Sequence, residues 1–123
     1  MDKLDHIFEL QKGFQEKLKR ERNLDYKPEE WIQKDVLAIL SELAELLDEV
    51  NFKWWKNPKE LNHAAIKEEL VDILHFFMSM CWRAGMDADE LFRIYTEKNR
   101  ENFDRQLGRS QKKGYALEES ADL

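Results

Sequence analysis

Two acidic pairs, Glu42-Leu-Ala-Glu45 and Glu69-Leu-Val-Asp72, carry the first chemical signal in the sequence. At 3.6 residues per turn, side chains three apart stack on one face of a helix, so each pair projects both carboxylates the same way. Glu49 extends the first pair, and Glu42, Glu45 and Glu49 lie within an arc of roughly 60°. Val36, Ile39, Leu40, Leu43, Leu46, Leu47 and Val50 fill the adjoining arc, so the acidic stripe borders the core. Taken alone, such a stripe also fits a solvated helix edge.

The second pair lies in a different setting. From Leu70 to Trp82, 10 of 13 residues are apolar, and the exceptions are Asp72, His75 and Ser79. A helix apolar on nearly every side is expected to be buried. A buried carboxylate must be ion-paired, protonated or bound to metal. Neither acidic pair contains a basic residue. Should the two helices face each other, four carboxylates converge and repel, and a cation must compensate. Oxygen-only ligands suit a hard ion, magnesium with manganese as a substitute, rather than zinc.

His75 is expected to be a satisfied core histidine, with support of a carboxylate or ligation of iron as alternatives. Ferritin-like di-iron bundles place a Glu-x-x-His pair on each of two helices. Glu42-x-x-Glu45 has no histidine partner, which weakens the iron reading.

Further along, Lys98, Asn99, Asn102, Arg105 and Gln106 fall within an arc of roughly 120° on one helix. Lys and Arg there can neutralise phosphate oxygens, and Asn and Gln can donate to phosphate or sugar. A solvated helix face is the plain alternative. Lys53-Trp54-Trp55-Lys56 follows the first acidic helix at a turn of the chain. Trp54 is expected in the core, which leaves Trp55 to stack on a flat group beside flanking lysines. Carboxylate-bound ions, phosphate-reading cations and a stacking aromatic together describe hydrolysis at a nucleotide phosphate. A spare carboxylate near the ions can act as general base. The residues alone leave the base and the scissile bond open.

The elements that must hold these groups are helical. The first helix is expected from about Asp2 to Arg22, with Leu4, Ile7, Phe8, Leu10, Phe14 and Leu18 at helical spacing. Pro28 opens a second helix that ends near Val50. Asn57-Pro58, with Glu60 following, is expected to cap a third helix that stops at Gly85. Asp87 and Glu90 cap a fourth, which Gly108 closes. Sustained alternation and hairpin turns are missing. The expected fold is an all-α, four-helix antiparallel bundle over residues 1–108, completed by dimerisation, with residues 109–123 as a mobile tail.

Composition narrows the partners. For 123 residues one domain is the prior, and a net charge of −6 argues against a nucleic-acid binder. Cys81 is the only cysteine and is expected to be a buried, reduced thiol. No apolar stretch reaches the length of a membrane span, and the charged N-terminus lacks a signal-peptide apolar region. The expectation is a cytoplasmic protein acting on a small nucleotide, without a membrane partner.

The order Glu42-Leu-Ala-Glu45, Trp55-Lys56-Asn57, Glu69-Leu-Val-Asp72-Ile-Leu-His75-Phe76 and Lys98-Asn99 with Asn102, Arg105 and Gln106 resembles the dimeric dUTPase family. That family belongs to the all-α nucleoside triphosphate pyrophosphatases, with MazG-type enzymes as relatives. The resemblance runs from about Leu10 to Gly108. It implies that Glu42, Glu45, Glu69 and Asp72 ligate magnesium. It also implies that Lys98, Asn99, Asn102 and Arg105 handle phosphate and sugar, with Lys56 as a further phosphate contact. Gln11 would sit near the uracil pocket and Trp55 would help wall it. The implied reaction cleaves dUTP to dUMP and pyrophosphate in a homodimer or higher homo-oligomer. Glu49 matches no ligand in that pattern and is a candidate for water activation beside Glu45. The chain looks like the short form of the family, without an inserted helical segment that closes over substrate in longer members, so the tail around Lys112-Lys113-Gly114-Tyr115 or a partner subunit would have to close the site. A sibling enzyme for dCTP or modified nucleotides, and a non-enzymatic or di-iron bundle, are the alternatives.

Overall fold

The computed structural model describes residues 2–117. Among them the chain is all-α, with four helices and no strand: α1 Lys3–Glu21, α2 Pro28–Glu49, α3 His63–Arg83 and α4 Ala88–Gln106. This matches the expected all-α, four-helix class. Two compact units divide the chain, Met1–Asp87 with α1 to α3 and Ala88–Leu123 with α4. In the first unit α3 packs chiefly against α2 and also against α1.

The helix ends follow local chemistry. Asp2 caps α1 by accepting a hydrogen bond from the Asp5 N–H at 2.8 Å, and this bond holds the Asp2 carboxyl below the usual carboxylate range. Lys19 and Arg20 stand in the last turn of α1, where cations suit the helix dipole. Pro28 opens α2, as its fixed φ and missing N–H favour, and Glu29 and Glu30 occupy the first turn. Gly85 follows α3 at φ 82°, a left-handed position that glycine adopts without steric cost.

The start of α3 departs from expectation. Asn62, not Asn57, is its cap, and its side chain accepts from the Ala65 N–H at 3.1 Å. The reason lies in the preceding loop. Asn51, in the left-handed region at φ 59°, donates its amide to the Lys59 carbonyl and accepts from the Lys59 N–H, at 2.9 and 3.0 Å. That pair of bonds closes residues 51–59 into a loop and commits the backbone of Lys59 before a helix can start.

The core of the first unit is small and partly polar. Met78 and Ser79 are fully buried, with Trp31 and Cys81 beside them in burial. Burial pushes the Cys81 thiol up, in keeping with the expected inert, reduced cysteine. Ser79 Oγ donates to Asp35 Oδ2 at 2.9 Å, tying α3 to α2. Burial raises the Asp35 carboxyl, opposed by this bond and by the charge of Arg83. The Arg83 guanidinium stacks on both Trp31 and Trp82, 4.2 Å from each ring centre.

The expectation that α3 is buried on nearly every side holds only from Met78 to Trp82, where each residue is buried or half-buried. Leu70, Val71, Leu74 and Phe77 are all substantially exposed, because α1 and α2 leave that flank uncovered. Trp54 is likewise not a core residue: it is 85% exposed, in the loop between α2 and α3.

Candidate metal centre and adjoining cavity

The two acidic pairs meet across α2 and α3. Glu42, Glu69 and Asp72 each offer a carboxylate oxygen, and these oxygens all lie within 4.8 Å of one another. Helical spacing puts Glu69 and Asp72 on one face of α3, and the packing of α2 on α3 brings Glu42 opposite. Glu42 Oε2 and Glu69 Oε2 are inaccessible to solvent, and neither has a hydrogen-bond partner. Orphaned buried carboxylate oxygens need a proton or a cation.

The electrostatics agree with the geometry. The adjacent Glu42 carboxylate, then desolvation, then the charge of Glu45 push the Glu69 carboxyl up to about 7. Like charges crowded together disfavour ionisation, and a divalent ion would remove that penalty. The donor set is oxygen-only and fits magnesium or manganese; His75 is not part of the group. Glu45 is exposed, yet close enough for its charge to act on Glu69. Glu49, one turn further on, pairs instead with Lys59, Nζ to Oε1 3.7 Å.

A cavity of about 550 Å³ opens beside this group, and Glu42 and Asp72 belong to its wall as well as to the carboxylate cluster. Its other polar wall groups are Gln11, Gln15 and His75, and the rest is apolar, with Phe14, Phe76 and Met78. Gln11 and Gln15 are 8% and 5% exposed, and neither makes a hydrogen bond among the described residues. Residues four apart on a helix share a face, so α1 turns both amides toward the same space. His75 is exposed in the cavity wall rather than buried in the core, because its position on α3 faces the gap beside α1.

Gln15 was not singled out from the sequence, although its spacing from Gln11 was the available signal. The apolar neighbours Leu10 and Phe14, which contribute to the helical spacing of α1, line the cavity and remain exposed. Trp55 lies outside the lining of this cavity; it stacks edge-on against Trp54 at 4.6 Å and against Phe52 at 6.2 Å. Lys56 lines a separate loop cavity of about 310 Å³ with Lys53, Lys59, Asn51 and Asn57.

The remaining sequence-derived residues stand on the second unit. Lys98, Asn99 and Asn102 are exposed on α4, and Arg105 is partly buried there. Their spacing gives them a common face of that helix.

The profile of a protein family described as dUTPase matches residues 3–86 of the chain. Two curated relatives are both named dCTP pyrophosphatase. The chain is 54% identical to the one from Enterobacteria phage T4 over 41 residues, 33% of this chain and 24% of the relative. It is 35% identical to the one from Enterobacteria phage LZ5 over 74 residues, 60% of this chain and 43% of the relative. The chain therefore spans less than half the length of either relative. No solved structure matches it.

Proposed function

The chain belongs to the dUTPase family, and on that footing we propose that it hydrolyses a deoxypyrimidine nucleoside triphosphate to the monophosphate and pyrophosphate, with dUTP favoured. One observation carries this reading: Glu42, Glu69 and Asp72 converge, with an unpartnered buried oxygen on Glu42 and on Glu69, beside a cavity whose wall holds Glu42, Asp72 and two unpartnered amides. Such a site can take a cation, a phosphate chain and a flat polar ring side by side.

Glu42, Glu69 and Asp72, with Glu45 adjoining, would hold magnesium. When bound, the ion supplies neutralisation of phosphate oxygens and acidifies a water molecule. Glu45, exposed beside the cluster, is the first candidate to accept the proton of the attacking water. Glu49, paired with Lys59, is the second. Lys56 on the loop and Lys98, Asn99, Asn102 and Arg105 on α4 would bind phosphate and sugar. Phe14 and Phe76 exclude water around the base, and Gln11 and Gln15 read its polar edge. Trp55 would join the wall on substrate binding. The apolar residues left exposed on α2 and α3, among them Leu40, Leu43, Leu70 and Leu74, support a homodimer. A small nucleotide substrate and a cytoplasmic location complete the reading; no helix among the described residues is long and apolar enough to cross a membrane.

The amides favour a second reading for the base. A glutamine amide presents a carbonyl acceptor and an NH₂ donor, and rotation exchanges them. Uracil offers a donor at N3 and an acceptor at O4, and cytosine offers the reverse. Gln11 and Gln15, fixed by no other hydrogen bond, can match either edge, and both curated relatives are named for dCTP. The deciding experiment is pyrophosphate release with magnesium from dUTP, dCTP, dTTP and UTP. Preference for dUTP supports the first reading, and preference for dCTP moves the chain to the second. Release from none of the four would remove the enzymatic reading and revive a non-enzymatic bundle.

A further inference from the structure

Within the second unit, the residues after α4 build a set of contacts around Arg105. Gly108, at φ 75°, turns the chain, and the Arg109 and Ser110 N–H groups both donate to the Asp104 carbonyl, at 2.8 and 3.3 Å. Ser110 Oγ then donates to Glu101 Oε1 at 2.6 Å, and the Lys112 N–H donates to Ser110 Oγ at 3.1 Å. The same Glu101 oxygen accepts from Arg105 Nε at 3.2 Å. Beyond it, the Tyr115 ring lies against the Arg105 guanidinium, 5.4 Å from ring centre to central carbon.

These contacts use one edge and one face of the guanidinium. Its two terminal nitrogens make no hydrogen bond among the described residues, although the side chain is only 18% exposed. That terminal pair is the fork that grips phosphate oxygens. Ser110, then Arg105, hold the Glu101 carboxyl below the usual carboxylate range, so the brace stays ionised at neutral pH. A long flexible side chain loses freedom when it binds, and a side chain already held loses less.

We propose that Tyr115 is a positioning residue, whose ring, together with the Ser110-braced Glu101, holds Arg105 with its terminal nitrogens directed outward to a substrate phosphate. The assignment rests on the reading of this chain as a triphosphate hydrolase. It gives the segment after Gly108 a definite task, support of a phosphate-binding arginine on its own helix.

The test uses the full chain and three variants, Tyr115→Ala, Tyr115→Phe and Arg105→Lys. Steady-state release of pyrophosphate from dUTP or dCTP is measured with saturating magnesium. Loss of the stacked ring is expected to raise KM about five-fold with kcat changed less than about two-fold, and Tyr115→Phe, which keeps the ring, is expected to restore the wild-type KM. Equal kinetics in Tyr115→Ala and wild type would overturn the proposal, as would equal loss in the Ala and Phe variants. A second readout needs no activity. The Arg105 Nε–H resonance, assigned by its disappearance in Arg105→Lys, should report a restrained side chain in the wild type and a mobile one in Tyr115→Ala. An unchanged resonance would overturn the holding role. A wild type inactive on every nucleotide would overturn the hydrolase reading separately, with the resonance still deciding whether Tyr115 holds Arg105.

Discussion

Lowering the pH from about 8 to about 6 should weaken magnesium binding by a calculable amount. Glu69 carries its carboxyl at about 7, raised by Glu42, burial and Glu45 in that order. A metal ligand must be deprotonated, so below that value binding has to displace a proton. For a group titrating near 7, roughly one molecule in eleven carries the charge at pH 6 and roughly ten in eleven at pH 8. The apparent affinity should therefore differ by about ten-fold between them. For folding of the metal-free protein the pH dependence has the opposite sign. A carboxyl raised in the folded state favours folding most below its ordinary value, so the metal-free protein loses that contribution as pH climbs from about 4.5 to about 7. Magnesium should offset the loss and raise Tm more at pH 8 than at pH 6. Calorimetric titration in two buffers of different ionisation enthalpy reads both the affinity and the proton released. Equal affinity at the two pH values, or wild-type affinity in Glu69→Gln, would exclude Glu69 as the titrating ligand.

Other consequences follow from the core and the cavity. Ser79→Ala removes the hydrogen bond that the Asp35 carboxyl, 5% exposed, accepts from α3, and is expected to destabilise the fold by about 1–3 kcal/mol in urea unfolding. Met78→Ala empties a fully buried position and should cost about 2–5 kcal/mol by the same assay. Gln15→Leu removes one of the two amides proposed to read the base while nearly keeping the side-chain volume. It should raise KM for the preferred nucleotide about ten-fold, with melting temperature little changed; an unchanged KM would remove Gln15 from the base site.

The legible part of the molecule was the part encoded by helical spacing. The 3.6-residue period alone placed Glu69 and Asp72 on one face of an apolar stretch and Glu42 on the edge of an amphipathic helix, while their convergence depended on the two helices facing each other. Pro28, Gly85 and Gly108 marked helix boundaries because their backbone preferences are local. The start of α3 was not legible in the same way. Asn57-Pro58 is a sound capping signal, but the side chain of Asn51 reaches eight residues along the chain to bind Lys59, and no short-range rule encodes that bond. Apolar character misled at Trp54 and at Leu70, Val71, Leu74 and Phe77 of α3. The count of apolar residues on a helix tells that a face seeks cover, and the three helices of the first unit cannot cover every such face. His75 was misjudged for the same reason, since an apolar neighbourhood in sequence became a cavity wall in space. Gln15 escaped attention because a lone amide on a helix carries no signal until a second one, Gln11, is seen one turn away.

In the proposed reaction Glu42, Glu69 and Asp72 hold the divalent ion on which hydrolysis depends. The most direct test of this role is pyrophosphate release from dUTP and dCTP across a magnesium titration, comparing wild type with Glu69→Gln at matched folding, judged by circular dichroism. Release should depend on magnesium in the wild type and fall at least about a hundred-fold in the variant. Wild-type rates in Glu69→Gln, or release that persists after chelation of all divalent ions, would contradict that role.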